Sequence, residues 1–267
     1  MRAYVINLAR APDRWAVMER RLDAARLPYV RVEAVDGRTI QLPIPEFDEW
    51  THRLMTGRRP IPAEIGCYLS HLRAIDAFLA TEDGHALILE DDALFDPSIV
   101  DAIAAAIEQE HLWDVLRLST VGRDRAFRVL GLGDGRSLGV NLTRCKGAGA
   151  YVLNRRAAVA FRRFLVPMRL AYDIAFDLEY FHALRAVAVV PYPVVQNRDV
   201  PSQIQIGIES YKLPHWRYLT VFPYRAVVEV ARVVMRAGLI ARTCIASRRR
   251  CHRSGPGAPR GTPVDGQ

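Results

Sequence analysis

Cysteine is scarce in this chain. The four residues, Cys67, Cys145, Cys244 and Cys251, have spacings that fit neither a zinc site nor a disulfide framework, which favours a reducing compartment. No apolar stretch is long and charge-free enough to span a bilayer, since the most apolar one, residues 223–247, is interrupted by Arg225, Glu229, Arg232 and Arg236. No internal repeat is present. Gly131-Leu132-Gly133-Asp134-Gly135 lacks the spacing and the following helix of a dinucleotide loop and reads as turn chemistry. The basic residues near the C-terminus lack interleaved aromatics and any nucleic-acid fold signature, so no nucleic-acid partner is expected. Met1 leads almost directly into the strand-like Ala3–Leu8, and no cleavable leader is expected.

What remains is an ordinary globular composition of 267 residues, 50% hydrophobic and 25% charged, enough for one large domain or a domain with an appendage. The net charge of +8 is unevenly placed. Residues 211–253 hold ten Lys/Arg against the single acid Glu229, a local +9, so residues 1–210 come to about −1. Three segments follow: a domain over 1–210, a basic helical extension over 211–253 and a Gly/Pro-rich tail over 254–267 expected to be disordered.

The most informative stretch is His85-Ala86-Leu87-Ile88-Leu89-Glu90-Asp91-Asp92, an apolar strand ending in three carboxylates. Unpaired carboxylates do not enter an apolar core, so the strand stops at an edge. That edge is either a solvated acidic turn or a corner of hard oxygen ligands for Mn²⁺ or Mg²⁺. Pro97 and the apolar positions after it predict a helix. Upstream, a strand ending at Asn7-Leu8, a helix opened by Pro12-Asp13 and a strand at Tyr29–Val32 give a βαβ-like start to a parallel sheet.

Residues 40–62, with four prolines, read as a long loop over the sheet. A helix is predicted from about Ala63 to Ala80. Ser70 and His71 within it read either as a helix serine and a partly buried histidine with local hydrogen bonds, or as functional groups. Arg117 interrupts an apolar strand and should pair with carboxylates, structurally or near the acidic corner. Residues 122–146 predict a two-stranded ribbon, and the small residues from Gly147 to Ala150 permit close backbone approach. Asn154 is a plausible N-cap. Asp173, at a helix start, suits either a cap or a sugar hydroxyl, whereas Asp177 and Glu179 read as surface charges. Arg225, Glu229, Arg232 and Arg236 form one polar stripe on a C-terminal amphipathic helix, suited to an anionic membrane surface or to packing on the domain.

In order along residues 3–204, these landmarks resemble the family 25 glycosyltransferases, the lipooligosaccharide and lipopolysaccharide galactosyltransferase family. The resemblance rests on Tyr4–Leu8 with Arg14, Ala34–Gly37, Glu64–Cys67 running into Leu69-Ser70-His71, and Leu89–Asp92. It continues through Arg117, Gly147, Ala150–Val152, Asp173, Pro193, Gln196 and Ser202.

That resemblance implies an α/β fold of GT-A type, a Rossmann-like open sheet flanked by helices, with the basic helix appended at the C-terminus. It further implies a UDP-sugar donor and a metal held by a DXD-like motif, here Glu90 and Asp92 with Asp92 the best direct ligand. Asn7 and Arg14 become uridine and phosphate contacts, and Ser70 and His71 the active-site wall. Asp91, Arg117 and Gly147 complete the donor-binding set, and Asp173 becomes the general base of an inverting transfer.

The acceptor so implied is a lipid-linked lipooligosaccharide or lipopolysaccharide core, met at the cytoplasmic face of a bacterial inner membrane. Alternatives are a different donor such as UDP-glucose, a different glycan, or a nucleotide-sugar-binding protein without turnover. His182, Asp199 and His215 are candidates for a further metal ligand.

Overall fold

The computed structural model describes residues 1–122, 126–197 and 208–253, with side chains to residue 245. Asp199 and Ser202, and the tail expected to be disordered, lie outside the described residues. In chain order the strands are β1 (Arg2–Asn7), β2 (Tyr29–Glu33), β3 (His85–Glu90), β4 (Ala93–Leu94), β5 (Val115–Arg117), β6 (Ala126–Gly133), β7 (Arg136–Asn141), β8 (Ala150–Asn154), β9 (Ala186–Val190) and β10 (Val195–Gln196). The helices are α1 (Pro12–Ala24), α2 (Glu49–Thr56), α3 (Pro62–Leu79), α4 (Ile99–Ile107), α5 (Arg155–Phe164), α6 (Tyr172–Phe176) and α7 (Tyr218–Arg253).

Eight strands form one sheet in the order β2-β1-β3-β8-β5-β9-β7-β6, and β4 pairs with β10 apart from it. The expected parallel opening is present, since β1 runs parallel to both β2 and β3. Beyond β3 the sheet is mixed, because β8 lies antiparallel between β3 and β5. Period-two alternation explains why both faces are covered. Tyr4, Ile6 and Ile88 pack on one face with Ile65, Tyr68, Phe78, Phe161 and Phe176. Ala3, Val5, Leu87 and Leu89 pack on the other with Met18, Leu22, Ile103 and Trp113. The α/β architecture and the C-terminal helix read from the sequence are both present.

Residues 40–62 are more ordered than a Pro-rich loop, for they contain α2. Asp48 caps it by accepting from the Thr51 amide at 3.0 Å, and Gly57 ends it in the left-handed region at φ 67°. The crossing of the 34–37 turn over α3 depends on two glycines. A Cβ on Gly37 would lie 2.2 Å from the Pro62 carbonyl oxygen, and one on Gly66 would lie 2.6 Å from that of Val35. Asn154 does cap α5, accepting from the Ala157 amide at 2.8 Å.

Asp177 and Glu179 are not surface charges but are 0% and 1% exposed. Asp177 meets Arg117 at 2.8 Å, Arg236 at 2.9 Å and Arg232 at 3.0 Å, while Glu179 meets Arg236 at 2.9 Å. Arg236 also donates to the carbonyls of Asn141 and Thr143. Two arginines of the polar stripe therefore face the domain, as the packing alternative has it, because the two buried carboxylates require them there. This cluster, together with the Tyr180 hydroxyl donating to the Val228 carbonyl at 3.1 Å, fixes the rotation of α7 on the domain.

Removing the central acid leaves three guanidiniums without their shared counter-charge. Asp177→Ala is expected to destabilise the protein by about 3–5 kcal/mol in urea unfolding. A loss below about 1 kcal/mol would show that the cluster does not hold α7.

Candidate active site

The carboxyl ends of the parallel strands β1 and β3 lie side by side, Ile6 paired with Glu90, so Asn7 and the acidic run Glu90-Asp91-Asp92 emerge at one edge. In an open α/β sheet this is where ligands gather. Three adjacent carboxylates at a partly buried edge must be neutralised, and the first two are.

Asp91 is held from the β1 side. Asn7 Nδ2 donates to it at 2.7 Å and Arg14 pairs with it at 2.9 Å, while Arg31 donates to Asn7 Oδ1 at 2.6 Å. Burial still raises the Asp91 carboxyl above its ordinary range, with Asn7 and Arg14 working against that. Glu90 is held from the opposite side. His71 Nε2 lies 3.2 Å from one oxygen and Gln196 Nε2 donates to the other at 3.1 Å. Burial opposes ionisation of Glu90, but His71 and the Gln196 amide outweigh it, and the carboxyl sits below its ordinary range.

The orientation of His71 is itself built. Its Nδ1 meets the Tyr151 hydroxyl at 2.9 Å, that hydroxyl meets Tyr172 at 2.8 Å, and the imidazole stacks on the Tyr172 ring at 3.9 Å. Gln196 arrives through the β4–β10 pairing, in which it opposes Ala93, and Gly149 leaves room for it, since a Cβ there would lie 2.7 Å from Gln196 Nε2.

Asp92 is the carboxylate left over. Its Oδ1 is buried with no hydrogen-bond partner. Burial, then the charge of Glu90, push its acid up to about 7 against the pull of Arg14. An orphaned, buried carboxylate next to two fixed neighbours is what a divalent cation satisfies, and Glu90 keeps a second lone pair on each oxygen for it. Cys67 stands beside this corner, its Sγ 3.9 Å from Glu90. The thiol is pushed well up by burial and then by Glu90 and Asp173, so it is a neutral neighbour.

The other sequence-derived residues fall into place unevenly. Asp173 enters the field of Cys67 and Glu64, pairs with Arg144 at 2.8 Å and keeps about a third of its side chain exposed. It does not cap α6, whose N-cap position is Ala171. Ser70 is 1% exposed and bonded internally: it donates to the Gly66 carbonyl at 2.6 Å and accepts from the Val35 amide at 2.8 Å. His71, equally buried, positions Glu90.

Arg117 is 2% exposed in the Asp177 cluster, with its guanidinium 4.5 Å over the Phe176 ring, so it pairs with carboxylates as its place in an apolar strand requires. Glycine at 147 is accounted for by its φ of 87° and by Val121, whose Cγ2 a Cβ would approach to 2.5 Å. His182 stacks on Phe164 at 3.4 Å, and His215 faces Tyr218 at the start of α7, so neither joins the corner. Gln196, Tyr151 and Cys67 belonged to the sequence resemblance but had no role there; Tyr172 acquires its role only through packing.

The model of the family described as "Glycosyltransferase family 25 (LPS biosynthesis protein)" matches residues 1–176. A "Glycosyltransferase 25 family member" of Drosophila pseudoobscura pseudoobscura is 36% identical over 104 residues, 35% of this chain and 16% of that protein. "Procollagen galactosyltransferase 2" of Mus musculus is 32% identical over 100 residues, 35% of this chain and 16% of that protein. A Rattus norvegicus relative, "Probable inactive glycosyltransferase 25 family member 3", is 29% identical over 128 residues, 43% of this chain and 22% of that protein. The matched segment thus spans a fifth or so of these relatives' own length.

The Asp92 acid gives a test in the metal-free protein. Unfolded, it ionises near about 3.9; folded, at about 7. The folded state holds the proton more tightly, so stability contributed at low pH is lost as pH rises through that window. With EDTA at pH 8, Asp92→Asn is expected to melt about 5 °C above the wild type, and the two should converge near pH 4. Equal melting at pH 8 would show that Asp92 carries no such penalty.

Proposed function

The chain belongs to glycosyltransferase family 25, and from that premise we propose that it transfers a sugar, most simply galactose, from a UDP-sugar to a lipid-linked glycan of the lipooligosaccharide or lipopolysaccharide core type. The observation that carries this reading is the acidic corner, in which Glu90 and Asp91 are fixed from opposite sides while Asp92 Oδ1 is buried without a partner. Catalysis is assigned to residues 1–210. The donor sugar draws support from the galactosyltransferase among the relatives.

Mn²⁺ or Mg²⁺ suits this donor set, with Asp92 the direct ligand and Glu90 beside it; when bound, the cation neutralises charge on the departing diphosphate. Asn7 and Arg14 hold Asp91 and stand next to the place a diphosphate would take, Arg14 with a buried Nε that lacks a partner. Asp173 is the acceptor's base: it is accessible, and Arg144 steadies one of its oxygens, leaving the other for a hydroxyl proton. One base and no nucleophile is the requirement of an inverting displacement. His71, Tyr151 and Tyr172 keep Glu90 in place during turnover. A lipid-linked acceptor puts the enzyme at a membrane surface, on the cytoplasmic face, and no helix among the described residues is long and apolar enough to cross one.

UDP release from a panel of UDP-sugars, with and without Mn²⁺, tests the reading. One donor is expected to be consumed, with activity lost on EDTA and reduced at least about a hundredfold in Asp92→Ala. Asp173→Asn should lower kcat by about 10²–10⁴ while UDP affinity by calorimetry stays within about twofold. Silence across the panel together with no UDP binding would overturn the transferase assignment; UDP binding without turnover on any acceptor would favour a non-catalytic relative.

A further inference from the structure

Helix α7 is amphipathic in the opposite sense to a soluble protein's surface helix. Its domain-facing side carries Val221, Val228, Arg232, Arg236 and Thr243, all buried. Its outward side carries large apolar groups: Leu219 is 79% exposed, Val227 and Val230 66%, Val234 63%, Phe222 56% and Ile245 53%. At 100° per residue these outward positions, together with Ala226, Ala237 and Ala241, share one face that carries no charge between residues 219 and 245. The helix cannot roll to hide that face, because Arg232 and Arg236 are locked to Asp177 and Glu179. Contiguous exposed apolar area of this kind marks an interaction surface.

We propose that the outward face of α7 is a monotopic membrane-contact surface that lies in the headgroup region of an anionic bilayer, apolar side down. Charge selects this occupant. Residues 211–253 carry ten basic residues against one acid, and that acid, Glu229, is already paired with Arg232. With Arg232 and Arg236 neutralised by Asp177 and Glu179, the rest of the segment is still basic, so a second copy of the chain would bring like charge against it, whereas anionic headgroups complement it. Exposed Arg225 and Arg242 flank the apolar face in positions to reach headgroups.

The notion of a polar stripe meeting the membrane is thus reversed: apolar groups make the contact, and the buried arginines set its orientation. The inference rests on the transferase reading only for the lipid-linked acceptor; vesicle binding by itself is independent of turnover.

The full chain is sedimented with vesicles of phosphatidylcholine alone or with about a third phosphatidylglycerol, and emission of the half-exposed Trp216 is followed. Binding to anionic vesicles with a blue-shifted emission is expected, weakening at least about tenfold in Val230→Asp/Val234→Asp. Because both positions are exposed, that variant should keep the wild-type melting temperature and UDP affinity. Unchanged vesicle binding in the variant, or no vesicle binding by the wild type, would overturn the proposal. So would light scattering that shows a wild-type dimer converted to monomer by the same substitutions. Vesicle binding that follows this pattern in a protein that neither consumes a UDP-sugar nor binds UDP would leave the surface standing and remove the transferase reading.

Discussion

Three consecutive carboxylates at the end of a buried strand repel one another and resist burial, and the site is arranged around how that repulsion is relieved. Asp91 is answered from β1 and α1 by Asn7 and Arg14. Glu90 is answered from α3 and β10 by His71 and Gln196. These partners come from four elements because no single one can surround two neighbouring carboxylates pointing to opposite sides of a strand. Asp92 has no such partners, and it concentrates the unrelieved field of the other two. A structural ion network would be expected to satisfy all three acids. Leaving one exposed to the field of its neighbours makes sense where a cation is the missing partner.

The same balancing of charge shapes the seat of α7. Asp177 and Glu179 would be strongly unfavourable in the core alone, and three arginines from β5 and α7 surround them. Such a cluster adds little stability over apolar packing of equal volume, but it is directional. Here its direction has a consequence, since satisfying the acids turns Arg232 and Arg236 of α7 inward and leaves Val227, Val230 and Val234 outward. Orientation of this helix is therefore decided in the domain, not by the amphipathicity of the helix itself. Because α6 and the Asp177–Glu179 segment are continuous in the chain, the residues that seat α7 adjoin those that carry Asp173.

Much of this was legible in the linear chain. Strands β1, β3 and β9 follow from short apolar runs, α3 and α7 from sustained helical pattern, the β6–β7 ribbon from its glycine turn, and α5 from the Asn154 cap. The acidic corner stood out because a buried strand ending in Glu90-Asp91-Asp92 is costly unless the edge is used. Helix α2 was hidden because flanking prolines obscure local periodicity, although Asp48 and Gly57 are ordinary cap signals. Asp177 and Glu179 were misread because a carboxylate's burial depends on who arrives to pair with it, and Arg232 and Arg236 lie more than fifty residues downstream.

The sequence by itself determined the α/β class, the place of the acidic corner, the family resemblance and the charge asymmetry between the two parts of the chain. These depend on local periodicity and on residue order, which survive without coordinates. Only the tertiary structure decided which acid of the corner is left unpartnered, that Ser70 and Arg117 are internal while Gln196 and Tyr172 support the site, and which face of α7 meets solvent. Each of those depends on a pairing between distant segments, and burial and charge are properties of the assembled neighbourhood, not of the residue that carries them.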